Sequence, residues 1–140
     1  MPAISEVLLN SQSHSGANAT PITVTSDPFK GDGYYGWGDG VHTIEIELTS
    51  FVGDITIQAS LASAPIDSDW FPVPLTLTNS EIYSIDTTGA IVRGSVSQNI
   101  QYTVATTSVK IYNFTGNFVW VRAIADNWTA GTINRILFNH

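Results

Sequence analysis

The chain has 140 residues, no cysteine, and a formal net charge of −7 from twelve acids and five Lys or Arg. That length suits one domain, able to bury roughly two-thirds of its unfolded surface without staples. Lack of cysteine removes disulfides, thiolate metal sites and thiol nucleophiles. An acidic balance with no basic cluster argues against nucleic-acid binding, and no run reaches the eighteen or more apolar residues of a membrane-spanning helix.

Charge is sparse as well as acidic. Charged residues are 12% of the chain, about half the usual globular share, and Thr, Ser, Asn and Gly carry the polar surface instead. A sheet so poor in lysine lacks the common device against edge-to-edge association, which points to edges or faces covered by partners. Residues 1–86 hold eleven acids against Lys30 alone, a net −10, whereas residues 87–140 hold Asp126 against Arg93, Lys110, Arg122 and Arg135, a net +3. Such halves attract one another, within a protomer or between copies.

Residues 1–20 read as an N-terminal arm ahead of a single domain over 21–140. Glu6 stands where a secretory leader would be basic, and "VLL" is too short for its apolar core, so a leader is disfavoured. The sequons at Asn18, Asn113 and Asn127 then read as products of a Ser/Thr/Asn-rich composition. Ile4, Val7, Leu8 and Leu9 fit two roles: an interface docked into a neighbouring molecule, or a strand within the domain's own sheet.

After a first strand candidate, "PITVT" (21–25), comes "GDGYYGWGDG" (31–40). Three chemistries suit this stretch. Asp27, Asp32 and Asp39, with Asp67 and Asp69 further on, offer oxygens to calcium, but their spacing matches no known calcium loop and Asp-Gly is the commonest tight-turn dipeptide. Tyr34, Tyr35 and Trp37 could stack on pyranose faces with Asp32 or Asp39 accepting hydroxyl protons. Alternatively the glycines reverse the backbone at positive φ, the aspartates cap their own turns, and the rings close one end of the domain.

Beyond this loop the dominant period is two. "HTIEIELTS" sets Ile44, Ile46 and Leu48 against Thr43, Glu45, Glu47 and Thr49, and "DITIQASL" sets Ile55, Ile57, Ala59 and Leu61 against Thr56, Gln58 and Ser60, the pattern of half-buried antiparallel strands. With "SFVGD" between them the pair reads as a hairpin. Further candidates are "LTLT" (75–78), "EIYSI" (81–85), "AIVRGS" (90–95), "IQYTVAT" (100–106), "SVKIYNF" (108–114), "FVWVRAIA" (118–125) and "TINRILF" (132–138). Many short strands without a helical period imply an all-β antiparallel sandwich, jelly-roll-like or immunoglobulin-like. Phe51-Val52-Gly53 and Phe114-Thr115-Gly116 echo one another, each followed by an acidic-Trp element, and Trp70 and Trp128 read as plugs at matching ends of the sandwich. "FVWVRAIA" is apolar on both faces, so it is a central strand covered by the same chain, or it meets another chain through Val119 and Val121.

Catalysis has little to work with. No Gly-x-Ser-x-Gly elbow occurs, and His14, His42 and His140 belong to no recognisable base-nucleophile arrangement. Glu45 and Glu47 share a strand face, as glycoside hydrolysis would need of two carboxylates, yet on the polar face of an amphipathic strand they read as solvated or interface residues.

Five motifs together carry a resemblance: Gly-Tyr-Tyr-Gly at 33–36, Asp-Gly-Val-His-Thr at 39–43, Phe-x-Gly-x-Ile-x-Ile-Gln at 51–58, Asp-Trp-Phe at 69–71, and Phe-x-Gly-Asn-Phe-Val-Trp-Val-Arg-Ala at 114–123, with Asn-His at 139–140. In these the chain resembles small virion structural proteins of tailed phages, especially the contractile-tailed cyanophages. The likeness covers about half the chain and leaves residues 1–20 and 74–113 unmatched. It implies a place in a virion and no active site. The expectation is therefore a non-enzymatic protein without cofactor or metal, a capsid decoration or accessory component that binds other virion proteins and forms a homo-oligomer such as a trimer. The alternative is a carbohydrate-binding module of a tail fibre or baseplate that recognises host surface glycans through Tyr34, Tyr35, Trp37 and Asp39.

Overall fold

The alternation in "HTIEIELTS" puts Ile44, Ile46 and Leu48 on one face, and all three are buried. The strand does not end at "SFVGD". In the computed structural model, which describes residues 5–14, 21–38, 40–77, 83–85, 88, 91–93 and 96–140, one strand runs unbroken over Val41–Ser60. In chain order the elements are β1 (Ser5–Leu9), β2 (Gln12–Ser13), β3 (Ile22–Thr25), β4 (Phe29–Lys30), α1 (Asp32–Tyr35), β5 (Val41–Ser60), a 3-10 turn at Asp67–Asp69, β6 (Phe71–Pro72), β7 (Leu75–Leu77), β8 (Tyr83–Ile85), β9 (Ile91–Arg93), β10 (Val96–Ser97), β11 (Ile100–Thr115) and β12 (Trp120–Asn139).

The fold is all-β and antiparallel, with the sheet order β1-β12-β5-β11-β7-β10. β2, β3 and β4 pair with β12, β6 pairs with β5, and β8 and β9 form a separate pair. Three long strands, β5, β11 and β12, pass through both halves of the sandwich. This corrects the expected hairpin: Ile44, Ile46, Leu48 and Ile55 pair with both β11 and β12, residues 56–60 pair with β12, and the two halves of β5 do not pair with each other. Likewise "IQYTVAT" and "SVKIYNF" are one strand, as are the greater part of "FVWVRAIA" and "TINRILF".

What allows a strand to run on is a slip in phase. Inward positions are 44, 46 and 48 before the slip and 51, 53, 55, 57 and 59 after it, and the extra residue leaves Thr49 and Ser50 both exposed. A one-residue excess kinks a strand and keeps its apolar side inward without reversing it. β12 slips at Asp126 and Asn127, between Ala130 and Thr132, and again at Asn134 and Arg135, so that Val121, Ala123 and Ala125 give way inward to Trp128, then Ile133, then Ile136 and Phe138. All of these join Phe51, Ile55 and Ile57 in one core.

Polar groups loosened at the slips find side-chain partners. Ser50 N–H donates to Thr107 Oγ1 at 3.0 Å, and Asn127 Nδ2 donates to Asp54 Oδ2 at 2.9 Å. Thr23 Oγ1 and Asn127 N–H donate to Asp126 Oδ1 at 2.6 and 2.8 Å, which holds the Asp126 carboxyl below the usual carboxylate range. Ser50 and Asn127 adopt φ of 49° and 47°, and β12 crosses β5 so closely at Gly131, with φ 85°, that a Cβ there would run into the Ser50 carbonyl.

The N-terminal segment lies along β12, with Val7 opposite Leu137. Leu8 and Leu9 are buried in the domain's own core and Val7 stays exposed; Ile4 lies outside the described residues. Val121 is 0% exposed, which corrects its reading as an interface residue. Val119 is half-buried with its backbone tied to Ser60 and Gly31. β12 is central, and Tyr34 and Trp70 from the same chain lie over its outward Trp120 and Arg122. The paired-plug reading of the two tryptophans holds for Trp128, which is buried against Phe51, but Trp70 is a half-exposed surface ring under the Arg122 guanidinium.

Two outcomes are expected. Gly131→Ala combines a left-handed backbone with a clash against Ser50 and should cost about 2–4 kcal/mol in chemical denaturation. Because the folded pKa of Asp126 lies below the ordinary 3.8, its contribution is present above that pH and lost as pH falls through the folded value. The stability gap between wild type and Thr23→Val should therefore shrink on acidification, measured by melting from neutral pH downward.

Candidate functional site

Glycines in "GDGYYGWGDG" act in two ways. Gly31 and Gly33 lie on the backbone of residues 117–119, donating to Val119 O and Phe118 O at 2.9 Å each, and a Cβ at either would strike a carbonyl oxygen of that segment. Gly36 and Gly40 supply the turns, with φ of 71° and 65°. α1 makes a single helical turn that ends at Gly36, and Trp37 N–H closes it onto Asp32 O at 3.0 Å.

A buried polar group holds this loop down. His42 is fully buried, its ring stacked on Phe114 and Phe138 with interplanar angles of 7° and 5°. Its Nε2 accepts the Asp32 backbone N–H at 3.2 Å, so the proton sits on Nδ1, which donates to Gly40 O at 3.0 Å. One neutral imidazole thus ties both ends of the loop together. The Asp32 side chain is 1% exposed and accepts a hydrogen bond from His140 Nδ1 at 3.0 Å, while His140 Nε2 lies 3.5 Å from Glu6 Oε1 on β1. Asp32 therefore pins the loop to the end of β12, which corrects its reading as a residue that caps its own turn or faces a ligand.

Over His140 lie the aromatics. Tyr35 stacks on Trp37 at 4.5 Å and on the His140 ring at 5.6 Å, and Tyr34 meets Tyr35 and Trp120 edge-on at 5.4 and 5.3 Å with Lys30 Nζ 4.4 Å from its ring centre. Tyr34, Tyr35 and Trp37 are 45%, 44% and 43% exposed. They do not plug the end of the core; they form an outward platform on a rigid polar base. Rings held half-exposed by stacking suit the apolar face of a ligand, since little conformational entropy is lost on contact.

The structure thus brings together Tyr34, Tyr35 and Trp37, places Asp39 outside the described residues, and adds His42, His140 and Trp120. Extending the alternation of β5 by one step would have put His42 inward with Ile44, and the phase of Ile136 and Phe138 does the same for His140. Glu45 and Glu47 are half-buried on the outer strand face, with Glu47 paired to Arg135. Asp69 Oδ2 accepts from Ile66 N–H at 2.9 Å. Among the described residues no group of three His, Asp or Glu is placed to hold a metal ion, and no described helix is long and apolar enough to cross a membrane.

No protein-family model and no curated protein matches the chain. Among solved structures it is similar to the SPBc2 prophage-derived protein YomS, at 12% identity and a TM-score of 0.49 over 99% of this chain and 95% of that one. It is also similar to CBM29_1, a family 29 carbohydrate-binding module from Piromyces equi, at 9% identity and a TM-score of 0.40 over 100% of this chain and 93% of that one. Both likenesses are too distant to carry a function across, and the site stands on its own geometry.

His42→Phe keeps the stacking but leaves the Asp32 N–H and the Gly40 carbonyl without their imidazole partner. The expected cost is about 2–4 kcal/mol in denaturant melts, with Trp37 fluorescence shifting toward that of a solvated indole.

Proposed function

We propose that this protein is a non-enzymatic structural component of a phage particle, a capsid decoration or accessory protein that works by binding other virion proteins and copies of itself. Its sequence motifs support a virion location. The observation that carries the assembly reading is the outer face of the β1-β12-β5-β11 layer. There the registers align Val7, Leu137, Glu45 and Ile111 in one row and place Val109 beside Glu47 and Arg135 in the next. Val7, Val109 and Ile111 are 39%, 57% and 37% exposed. Exposed apolar residues set around Glu45 and the Arg135–Glu47 pair suit a modest interface multiplied by symmetry.

A second reading, a carbohydrate-binding module of a tail fibre or baseplate, is favoured by the exposed Tyr34, Tyr35 and Trp37 stack. Both readings are of binding without turnover.

Val109→Lys with Ile111→Lys is expected to weaken self-association and loading onto purified particles by at least about tenfold, measured by analytical ultracentrifugation and co-sedimentation, with melting nearly unchanged because both side chains face out and the new lysines stand opposite Glu47 and Glu45. Unaltered association in the double variant would contradict the assembly reading, and saccharide-dependent loading would favour the second.

A further inference from the structure

On the outer face of β12, beside the platform, lies an open groove of about 430 Å³ whose lining includes Pro28, Ser63, Asp67, Trp70, Trp120 and Arg122. Its volume falls in the range of small-ligand sites. The 3-10 turn at Asp67–Asp69 and β6 bring the segment before Phe71 back over β5. Trp120 is fixed by donation from its Nε1 to Ser63 O at 3.0 Å.

Arg122 is held rigid on two sides. Its guanidinium carbon sits 4.2 Å from the Trp70 ring centre, and its Nε donates to Gln58 Oε1 at 2.9 Å from the neighbouring strand. The remaining donors are the paired terminal Nη groups, and among the described residues Arg122 closes no salt bridge. Asp67 lines the same groove as Arg122. The groove therefore offers an acceptor-only carboxylate and a preorganised donor fork, walled by two indoles.

We infer that this groove is a binding subsite for a neutral pyranose presenting vicinal hydroxyls, one donating to Asp67 and its neighbour accepting from Arg122, with the sugar ring against Trp120 and Trp70. The inference rests on the carbohydrate-binding reading and extends it. An acidic sugar or an acidic peptide would meet Asp67 and a chain of net charge −7, so charge favours a neutral ligand. Tyr34, which touches Trp120, links the groove to the platform, so the ligand is an oligosaccharide that spans both.

The full chain would be titrated with gluco-, galacto- and manno-hexaose, with hexagalacturonate, and with hexaglutamate, using calorimetry and tryptophan fluorescence. At least one neutral hexaose should bind, hexagalacturonate should bind about tenfold more weakly, and Asp67→Asn and Arg122→Gln should each weaken the neutral ligand about tenfold. Asp67 is exposed, so Asp67→Asn tests the site without a folding effect. A hexaose that still binds Asp67→Asn and Arg122→Gln but is lost on Tyr35→Ala would overturn the groove and leave the carbohydrate reading intact. Absence of binding by every hexaose would overturn both, and a preference for hexagalacturonate or hexaglutamate would overturn the neutral-diol assignment.

Discussion

One constraint governs this architecture: each long strand must keep its apolar side inward on both sides of a bend. A rigid alternation of period two cannot do that, because a strand that curls over a core would carry its inward side chains out again or end at a turn. The single-residue excess at Thr49-Ser50, answered on β12 at Asp126-Asn127, between Ala130 and Thr132, and at Asn134-Arg135, resolves it. Bulges of this kind leave backbone groups unpaired, and Thr107, Thr23, Asp54 and Asp126 surround them with short polar side chains. Gly131 then lets the two strands cross where a side chain would not fit. The core is continuous because the strands are.

The same frame delivers the site. β12 enters at Trp120 and leaves at Asn139, so one strand presents Trp120 and Arg122 near its start and delivers His140 just beyond its end, beneath Tyr35 and Trp37. His42, at the start of β5, holds the loop from inside. A buried imidazole with both nitrogens satisfied is a stiff anchor, and stiffness separates an exposed aromatic surface that recognises a ligand from one that collapses on itself. The platform and the groove beside it thus share one support.

Much of this was legible in the residues. Alternation in 43–59 placed Ile44, Ile46, Leu48, Ile55, Ile57 and Ala59 inward, as found, but carried one step too far at Leu61, which is 64% exposed while Ser60 is buried; "FVWVRAIA" showed no alternation to choose its inward face, and the aromatic loop stood out by composition. The continuity of the strands did not stand out, because "SFVGD" has the Gly and Asp of a turn; the difference lies in phase, since two adjacent polar residues that displace the apolar pattern by one mark a bend. His42 and His140 looked peripheral for a related reason. A polar residue at an inward position reads as an interruption until its partners are known, and Asp32 lies ten residues from one and 108 from the other. The Asp67, Trp70 and Arg122 grouping is likewise brought together only by tertiary structure.

Platform, groove and core all depend on the unbroken passage of β5 through its bend. Backbone NOEs on uniformly labelled protein test it directly. Continuity predicts cross-strand contacts from residues 44–48 to 108–112 and 133–138, and from 55–59 to 121–125, in keeping with the strand registers. Backbone cross-strand contacts between 44–48 and 55–59, the mark of a hairpin closed at "SFVGD", would contradict it, and with it the placement of the platform and the groove.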